Sequence, residues 1–232
     1  MPHADVGCFP VSDGVRDDQA LFVSDAAPTG FMGADFCQIR PGDTVAMWGA
    51  GGVGLMAMQS AYLLGAERVI AIDRVPERLR PARERARVET LDYTAVDVVE
   101  ALRQMTGGRG PDACIDAVGM EAHGTGAEYA YDRVKQALHL ETDRGEALRQ
   151  ALLACRKGGT VSVLGVYGAM DKFPMGVIVN KGLTMRSAQQ HGEKYVPRLL
   201  DHIARGELDP SYLVTHRLPL EDAVRGYDLF KH

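Results

Sequence analysis

Short apolar runs alternate with amphipathic stretches along the chain between residues 44 and 206. The apolar runs are mostly built from Val, Ile, Leu and Ala, a pattern typical of strands that are buried on both faces of a parallel sheet. They predict six strands, at residues 44–48, 68–72, 88–91, 113–118, 160–164 and 183–187. The amphipathic stretches between them predict helices at residues 76–86, 97–105, 144–156 and 193–205.

This alternation of strands and helices predicts an α/β fold with a doubly wound parallel sheet. The first three strands and the last three form two similar halves, as in the two mononucleotide-binding halves of a Rossmann fold. The last predicted helix presents Val196, Leu199, Leu200 and Ile203 on one face, and Gly206 suits its C-terminal cap.

The connection after the first strand is rich in glycine, and it reads Gly49-Ala50-Gly51-Gly52-Val53-Gly54. In the dinucleotide-binding fingerprint the first glycine permits a sharp turn, the second lets a pyrophosphate approach the backbone, and the third lets the next helix pack tightly on the sheet. The N-terminus of that helix offers free N–H groups and a positive dipole end to the phosphates. The alternative is an ordinary glycine-rich turn between a strand and a helix.

The second strand ends at Asp73, 19 residues after Gly54. A carboxylate at this place accepts hydrogen bonds from the adenosine ribose of a bound dinucleotide. Because it would repel a 2′-phosphate, Asp73 favours NAD over NADP. Arg74 counts against this preference for NAD, since an arginine at that position can hold the 2′-phosphate of NADP.

Ligands of doubly wound sheets bind beyond the carboxyl ends of the strands. In this chain that rule selects residues 49–54, 118–126 and 164–168, of which the last two are also rich in glycine. Their backbone is expected beside the nicotinamide and its ribose. Alternatively, both segments are only tight turns.

Composition limits the remaining classes of function. The 232 residues are 46% hydrophobic, and the formal net charge of −5 provides no basic footprint for nucleic acid. The sequence contains neither a membrane-spanning run nor a signal peptide. Four widely spaced cysteines indicate free thiols in a reducing cytoplasm, with Cys114 in a buried strand.

Several motifs give the chain a resemblance to the zinc-dependent medium-chain alcohol dehydrogenases. The nearest subgroup is that of the glutathione-independent formaldehyde dehydrogenases and aldehyde dismutases, which share a long insertion at residues 120–143. The motifs are SDAAPTG at 24–30, PGDTV at 41–45, LGAERVIAID at 64–73, KQAL at 135–138, CRKGGT at 155–160 and THRLPL at 215–220.

The resemblance implies a zinc ion that acts as a Lewis acid while hydride passes to or from the nicotinamide. It assigns a zinc ligand to Asp25 and a place near the reactive ring to Thr29; alternatively, Asp25 is a plain helix-entry carboxylate. The other two protein ligands belong to an N-terminal catalytic domain that we expect to be missing from this chain. Zinc is therefore expected in the full-length family and not in this chain alone.

The resemblance also assigns cofactor contacts. Residues 51–53 match the pyrophosphate turn, Asp73 matches the ribose acid, and Arg78 matches a basic position near the adenosine. The resemblance places Val118, Leu164 and Val166 beside the nicotinamide. It places His123 in a loop over the cofactor and assigns it no definite role. The implied division is a remnant of the catalytic domain at 1–30, an NAD-binding Rossmann domain at 31–206 and a truncated return segment at 207–232.

These observations predict the NAD(H)-binding portion of a zinc-type alcohol or aldehyde dehydrogenase that is similar to formaldehyde dehydrogenase. The alternatives are a stand-alone NAD-binding module and an inactive remnant. Expected partners are NAD(H) and, in the complete enzyme, a small alcohol or aldehyde, with no nucleic acid and no membrane. The resemblance further implies a homo-oligomer built partly by the outer edge of the sheet.

Overall fold

The computed structural model describes residues 7–119, 145–168, 170 and 173–231. Six parallel strands form one sheet in the order β3-β2-β1-β4-β5-β6. The strands are β1 Thr44–Trp48, β2 Arg68–Asp73, β3 Glu89–Asp92, β4 Ala113–Asp116, β5 Thr160–Val163 and β6 Thr184–Ser187. The order reverses between β1 and β4, as in a Rossmann fold. The predicted doubly wound sheet is therefore confirmed.

Nine α-helices lie within the described ranges. They are α1 Asp17–Ala20, α2 Ala26–Phe36, α3 Gly52–Leu63, α4 Pro76–Glu84, α5 Val98–Met105, α6 Glu146–Ala154, α7 Met175–Lys181, α8 Gly192–Ala204 and α9 Ala223–Lys231. Short 3₁₀ turns occupy Leu21–Ser24, Pro210–Leu213 and Leu220–Asp222.

Alternate residues of the central strands enter two separate apolar cores. Val45 and Met47 of β1 face the core that includes α3. Ala46 and Trp48 face the opposite core, which includes α5 and α6. Both sets are buried because helices cover both faces of the sheet, which is why these strands read as continuous apolar runs.

A third core forms where α2 and α8 pack outside α3. Phe31 of α2 lies against Tyr195 of α8, with ring centroids 5.6 Å apart. A Cβ atom built on Gly30 of α2 would come within 2.5 Å of the backbone nitrogen of Ala57 in α3. Only a glycine fits at so close an approach between two helices. The third core therefore fixes α2 on the helix that follows the glycine-rich turn.

Several predicted element ends move by a few residues. Strand β4 ends at Asp116 instead of residue 118, because the Asp116 side chain accepts hydrogen bonds from the Val118 and Gly119 N–H groups and turns the chain. Helix α6 ends at Ala154 instead of residue 156, because Cys155 adopts an extended conformation.

The predicted insertion at 120–143 lies outside the described residues. The division at 1–30, 31–206 and 207–232 stays a prediction, and its first boundary falls inside α2. All four cysteines are free thiols, and Cys114 is buried as predicted. Within the part of the chain that the structure describes, no helix has both the length and the apolar character that a membrane crossing requires.

Candidate dinucleotide-binding site

The glycine-rich turn is held tightly between β1 and α3. Gly49 has a φ of +94°, a conformation that favours glycine, and its N–H donates to the Ile72 carbonyl of β2. A Cβ atom on Gly54 would overlap the Gly49 carbonyl oxygen. The first and third glycines are thus required by the chain's own packing.

The middle of the turn is open. A Cβ atom on Gly51 or Gly52 would meet nothing within 4 Å. The first helical hydrogen bond of α3 runs from Leu55 N–H to Gly51 O, so the N–H groups of residues 52–54 precede the helical ladder. The turn therefore presents backbone donors and the positive end of a 12-residue helix to an open space.

Asp73 closes one side of this space at the end of β2, where it is only 6% exposed. Its Oδ2 accepts from the Ala50 N–H at 2.8 Å, and its Oδ1 accepts from the N–H groups of Arg74 at 2.7 Å and Val75 at 3.0 Å. Each carboxylate oxygen can accept about two hydrogen bonds, so Oδ2 has one acceptor position left. Arg78 is exposed in the first turn of α4.

The loops after β4 and β5 form the other side of the space. Val118 lies against the turn, since its Cγ2 would be 2.9 Å from a Cβ atom on Gly49. Leu164 is half-buried and packs toward Gly33 of α2, whereas Val166 is 63% exposed. The structure thus brings the predicted residues at 118, 164 and 166 to the same edge of the sheet as the glycine-rich turn.

Asp25 and Thr29 lie together at the start of α2. The Thr29 hydroxyl donates to Asp25 Oδ1 at 3.0 Å, and the Thr29 N–H donates to the Asp25 carbonyl at 3.0 Å. Asp25 directly precedes the helix without capping it by a side-chain hydrogen bond. Among the described residues no group of three or more His, Cys, Asp or Glu side chains is placed to hold a metal ion. These residues do not make a zinc site by themselves.

Sequence reasoning missed three residues at this edge. Ala50 supplies an N–H group that donates to Asp73. Tyr167, in the loop after β5, donates a hydrogen bond from its hydroxyl to Asp116 at the end of β4. A carboxylate at the end of an apolar strand was the available signal for Asp116. Burial raises the pKa of Asp116, and this effect outweighs its hydrogen-bond donors. His123 lies outside the described residues.

Residues 52–205 match the family model described as zinc-binding dehydrogenase. The chain belongs to the zinc-binding dehydrogenase family. A zinc-type alcohol dehydrogenase-like protein of Schizosaccharomyces pombe is 34% identical over 98% of this chain and 53% of its own length. The alcohol dehydrogenase TADH of Thermus sp. ATN1 superposes with a TM-score of 0.78 at 36% identity, covering 95% of this chain and 58% of that one.

A formaldehyde dismutase of Pseudomonas putida is 36% identical over a shorter stretch of 180 residues, which covers 75% of this chain and 42% of the dismutase. This zinc-binding dehydrogenase chain therefore spans about half the length of the curated relatives it matches. The aligned part of TADH shares the Rossmann fold of this chain.

Proposed function

We propose that this chain binds NAD(H) as the cofactor-binding part of a zinc-type alcohol or aldehyde dehydrogenase. The observation that carries the proposal is the open, donor-lined turn at Gly51 and Gly52 beside the Asp73 carboxylate. Gly49 and Gly54 are needed for the packing of the turn, but a side chain at Gly51 would meet no protein atom within 4 Å of its Cβ, so packing does not explain a glycine there. A pyrophosphate that must approach this backbone supplies the reason.

In this proposal each half of the cofactor has its own set of contacts. The N–H groups at the start of α3 bind the pyrophosphate, and Asp73 Oδ2 accepts from an adenosine ribose hydroxyl. Val118, Leu164 and Val166 line the space for the nicotinamide and its ribose. The bound nicotinamide would supply hydride chemistry, while these residues orient its ring and shield one side of it from water.

Asp73 favours NAD over NADP because a carboxylate would face the extra phosphate of NADP. Arg74 and Arg78 are both exposed on the α4 side of Asp73 and so could attract that phosphate. The N–H of Arg74 is already bound to Asp73 Oδ1, which keeps the carboxylate aimed at the crevice. We therefore expect NADPH to bind more weakly than NADH.

Thr29 and Asp25 keep proposed roles near the reactive ring and at the metal. Thr29 is followed in α2 by Gly30, which packs closely against the Val53 carbonyl in the first turn of α3. Helix α2, which begins directly after Asp25 and contains Thr29, therefore packs on the helix that we propose to bind the pyrophosphate. Asp25 would hold a zinc ion only together with further protein ligands, since a catalytic zinc takes three of them. A formaldehyde-type substrate stays a proposal that rests on the motif at 24–30, while the relatives that align over nearly all of this chain are named as zinc-type alcohol dehydrogenase-like proteins.

A fluorescence titration with NADH tests the proposal on the intact chain. The decisive variant is Gly51→Val, because its side chain would enter the open space without meeting any protein atom within reach of Cβ. Gly51 has a φ of −73° and a ψ of −173°, which valine adopts readily. We expect the variant to melt within a few degrees of the wild type and to bind NADH at least about tenfold more weakly.

Gly14→Val is the matched control, since Gly14 also has open space around its Cβ position and lies in the N-terminal turn. It should leave both melting temperature and NADH affinity unchanged. Equal NADH affinity in the Gly51→Val variant and the wild type would refute the proposed pyrophosphate site.

A stand-alone NAD-binding module is the second candidate. It is favoured by the complete dinucleotide fingerprint, together with the finding that no group of three or more His, Cys, Asp or Glu side chains among the described residues is placed to hold a metal ion. Metal analysis of the same preparation separates the two candidates. NADH binding without bound zinc or turnover of alcohols supports the module, and one zinc per chain with turnover contradicts it.

A further inference from the structure

The Asp116 side chain accepts three hydrogen bonds at the carboxyl edge of the sheet. It is fully buried. Its Oδ1 accepts from the N–H groups of Val118 at 3.0 Å and Gly119 at 3.3 Å, and its Oδ2 accepts from the Tyr167 hydroxyl at 2.5 Å. A buried carboxylate with three donors is a costly arrangement that persists only when all its partners stay in place.

The backbone of Asp116 extends this set of bonds. Its carbonyl oxygen accepts from the Leu164 N–H at 2.8 Å and from the Gly165 N–H at 3.0 Å. One residue therefore holds the loop after β4 through residues 118 and 119, and the loop after β5 through residues 164, 165 and 167. The two loops also touch directly, since a Cβ atom on Gly119 would lie 2.6 Å from the Val166 nitrogen.

This connection lies where the strand order reverses. Asp116 pairs with Trp48 at the end of β1, and Val118 lies against Gly49 at the start of the glycine-rich turn. Asp73 is on the other side of β1, at the end of β2. The loops fixed by Asp116 therefore line one half of the crevice, and Asp73 lines the other half.

We propose that Asp116 and Tyr167 are positioning residues that hold residues 118 and 119 after β4 and residues 164–167 after β5 as one rigid wall for the nicotinamide riboside half of a dinucleotide. This inference rests on the proposed NAD(H) binding. Neither residue needs to touch the cofactor. Their effect passes through the backbone at residues 118, 119 and 164–166, which would otherwise have to be ordered when the ligand binds.

The two halves of the ligand provide the test. ADP carries the adenosine and pyrophosphate and lacks the nicotinamide riboside, so it probes only the half of the crevice near Asp73 and the glycine-rich turn. If Asp116 and Tyr167 had only a structural role, their replacement would weaken the binding of NADH and the binding of ADP alike, because it would partly unfold the protein. A positioning residue for the nicotinamide half would change the ratio of the two dissociation constants.

The first variant is Tyr167→Phe, which removes one hydroxyl from a half-buried ring and keeps its shape. We expect the Kd for NADH to rise about fivefold, while the Kd for ADP stays within about twofold of the wild type. Asp116→Asn keeps the size of the side chain and should change the NADH-to-ADP ratio in the same direction. Either variant tests the inference if the other fails to fold.

Tyr62→Phe is the matched control. Its hydroxyl also donates a hydrogen bond, to the Arg87 carbonyl at 3.2 Å, but it lies near the C-terminal end of α3, away from the crevice. It should leave both dissociation constants unchanged. An unaltered NADH-to-ADP ratio in folded Tyr167→Phe and Asp116→Asn variants would overturn the inference while leaving NAD(H) binding intact. Failure of the folded wild type to bind NADH would overturn both.

Discussion

Asp73 and Asp116 end the two strands that pair with β1 on either side, and both side chains accept three hydrogen bonds. Asp73 accepts all three from backbone N–H groups. Asp116 is fully buried and accepts from the protein on both of its oxygens. The sequence marks both as carboxylates after apolar strands. The number of donors is the same at both carboxylates, and the structure separates them by exposure: Asp116 is fully buried, whereas Asp73 is 6% exposed beside the glycine-rich turn.

The third glycine of the turn is a packing requirement, and its replacement should cost stability. In a Gly54→Ala variant the new methyl group would overlap the Gly49 carbonyl oxygen, so α3 must move away from β1. We expect the free energy of unfolding in urea to fall by about 2 kcal/mol. Gly52→Ala is the matched control in the same helix turn, and it should stay within about 0.5 kcal/mol of the wild type. Equal losses in both variants would contradict the packing argument.

Burial of Asp116 also predicts a pH effect on stability. Because the pKa of Asp116 is raised in the folded state, the folded protein retains a proton that the unfolded chain has already released. Its contribution to stability is therefore complete below the unfolded pKa and is lost as the pH rises through the folded pKa.

An Asp116→Asn variant removes this titration. Urea unfolding between about pH 4 and pH 7 should show that the wild type loses stability relative to the variant as the pH increases. The difference between the two proteins cancels the contributions of the other carboxylates, which are present in both. A difference that is constant with pH, or that changes in the opposite direction, would contradict the assignment.

At the scale of elements, strands were easier to predict than helices. All six strands were predicted. Strands β1, β2, β4 and β5 read as apolar runs because the two cores bury them, whereas the edge strand β3 is only partly buried and the edge strand β6 is exposed. Helix α8 was found because its apolar residues share one face. The apolar pattern gives no such signal for α2, since α2 is buried on most sides and contains Gly30 and Gly33. Its place is set by tertiary packing on α3 and α8, which periodicity does not report.

The close packing of α2 on α3 gives a prediction for Gly30. Gly30→Ala would place a methyl group 2.5 Å from the Ala57 nitrogen and 2.8 Å from the Val53 carbonyl oxygen. We expect a loss of about 2 kcal/mol in the free energy of unfolding, measured in urea. Gly176→Ala in α7 meets no atom within 4 Å and should be neutral or stabilising by up to about 1 kcal/mol. An unchanged free energy of unfolding in the Gly30→Ala variant would contradict the close approach of α2 to α3.

At the scale of the whole molecule, the parallel sheet brings together residues that are far apart in sequence. The glycine-rich turn and Asp73 could be predicted as a unit because they lie within 30 residues and follow a known spacing. The segments after β4 and β5 could be predicted only as loops at the carboxyl edge. Hydrogen bonds between the ends of β4 and β5 join residue 116 to residues 164, 165 and 167, and no local pattern encodes such a contact.

Calorimetric titration of the chain with NADH, and then with NADPH, measures whether the crevice binds a dinucleotide and which one it prefers. The chain is expected to bind one NADH per molecule, with NADPH at least about tenfold weaker because Asp73 faces the 2′ position. A well-folded preparation that gives no heat with NADH would contradict the proposed cofactor site. Tighter binding of NADPH would contradict the role of Asp73.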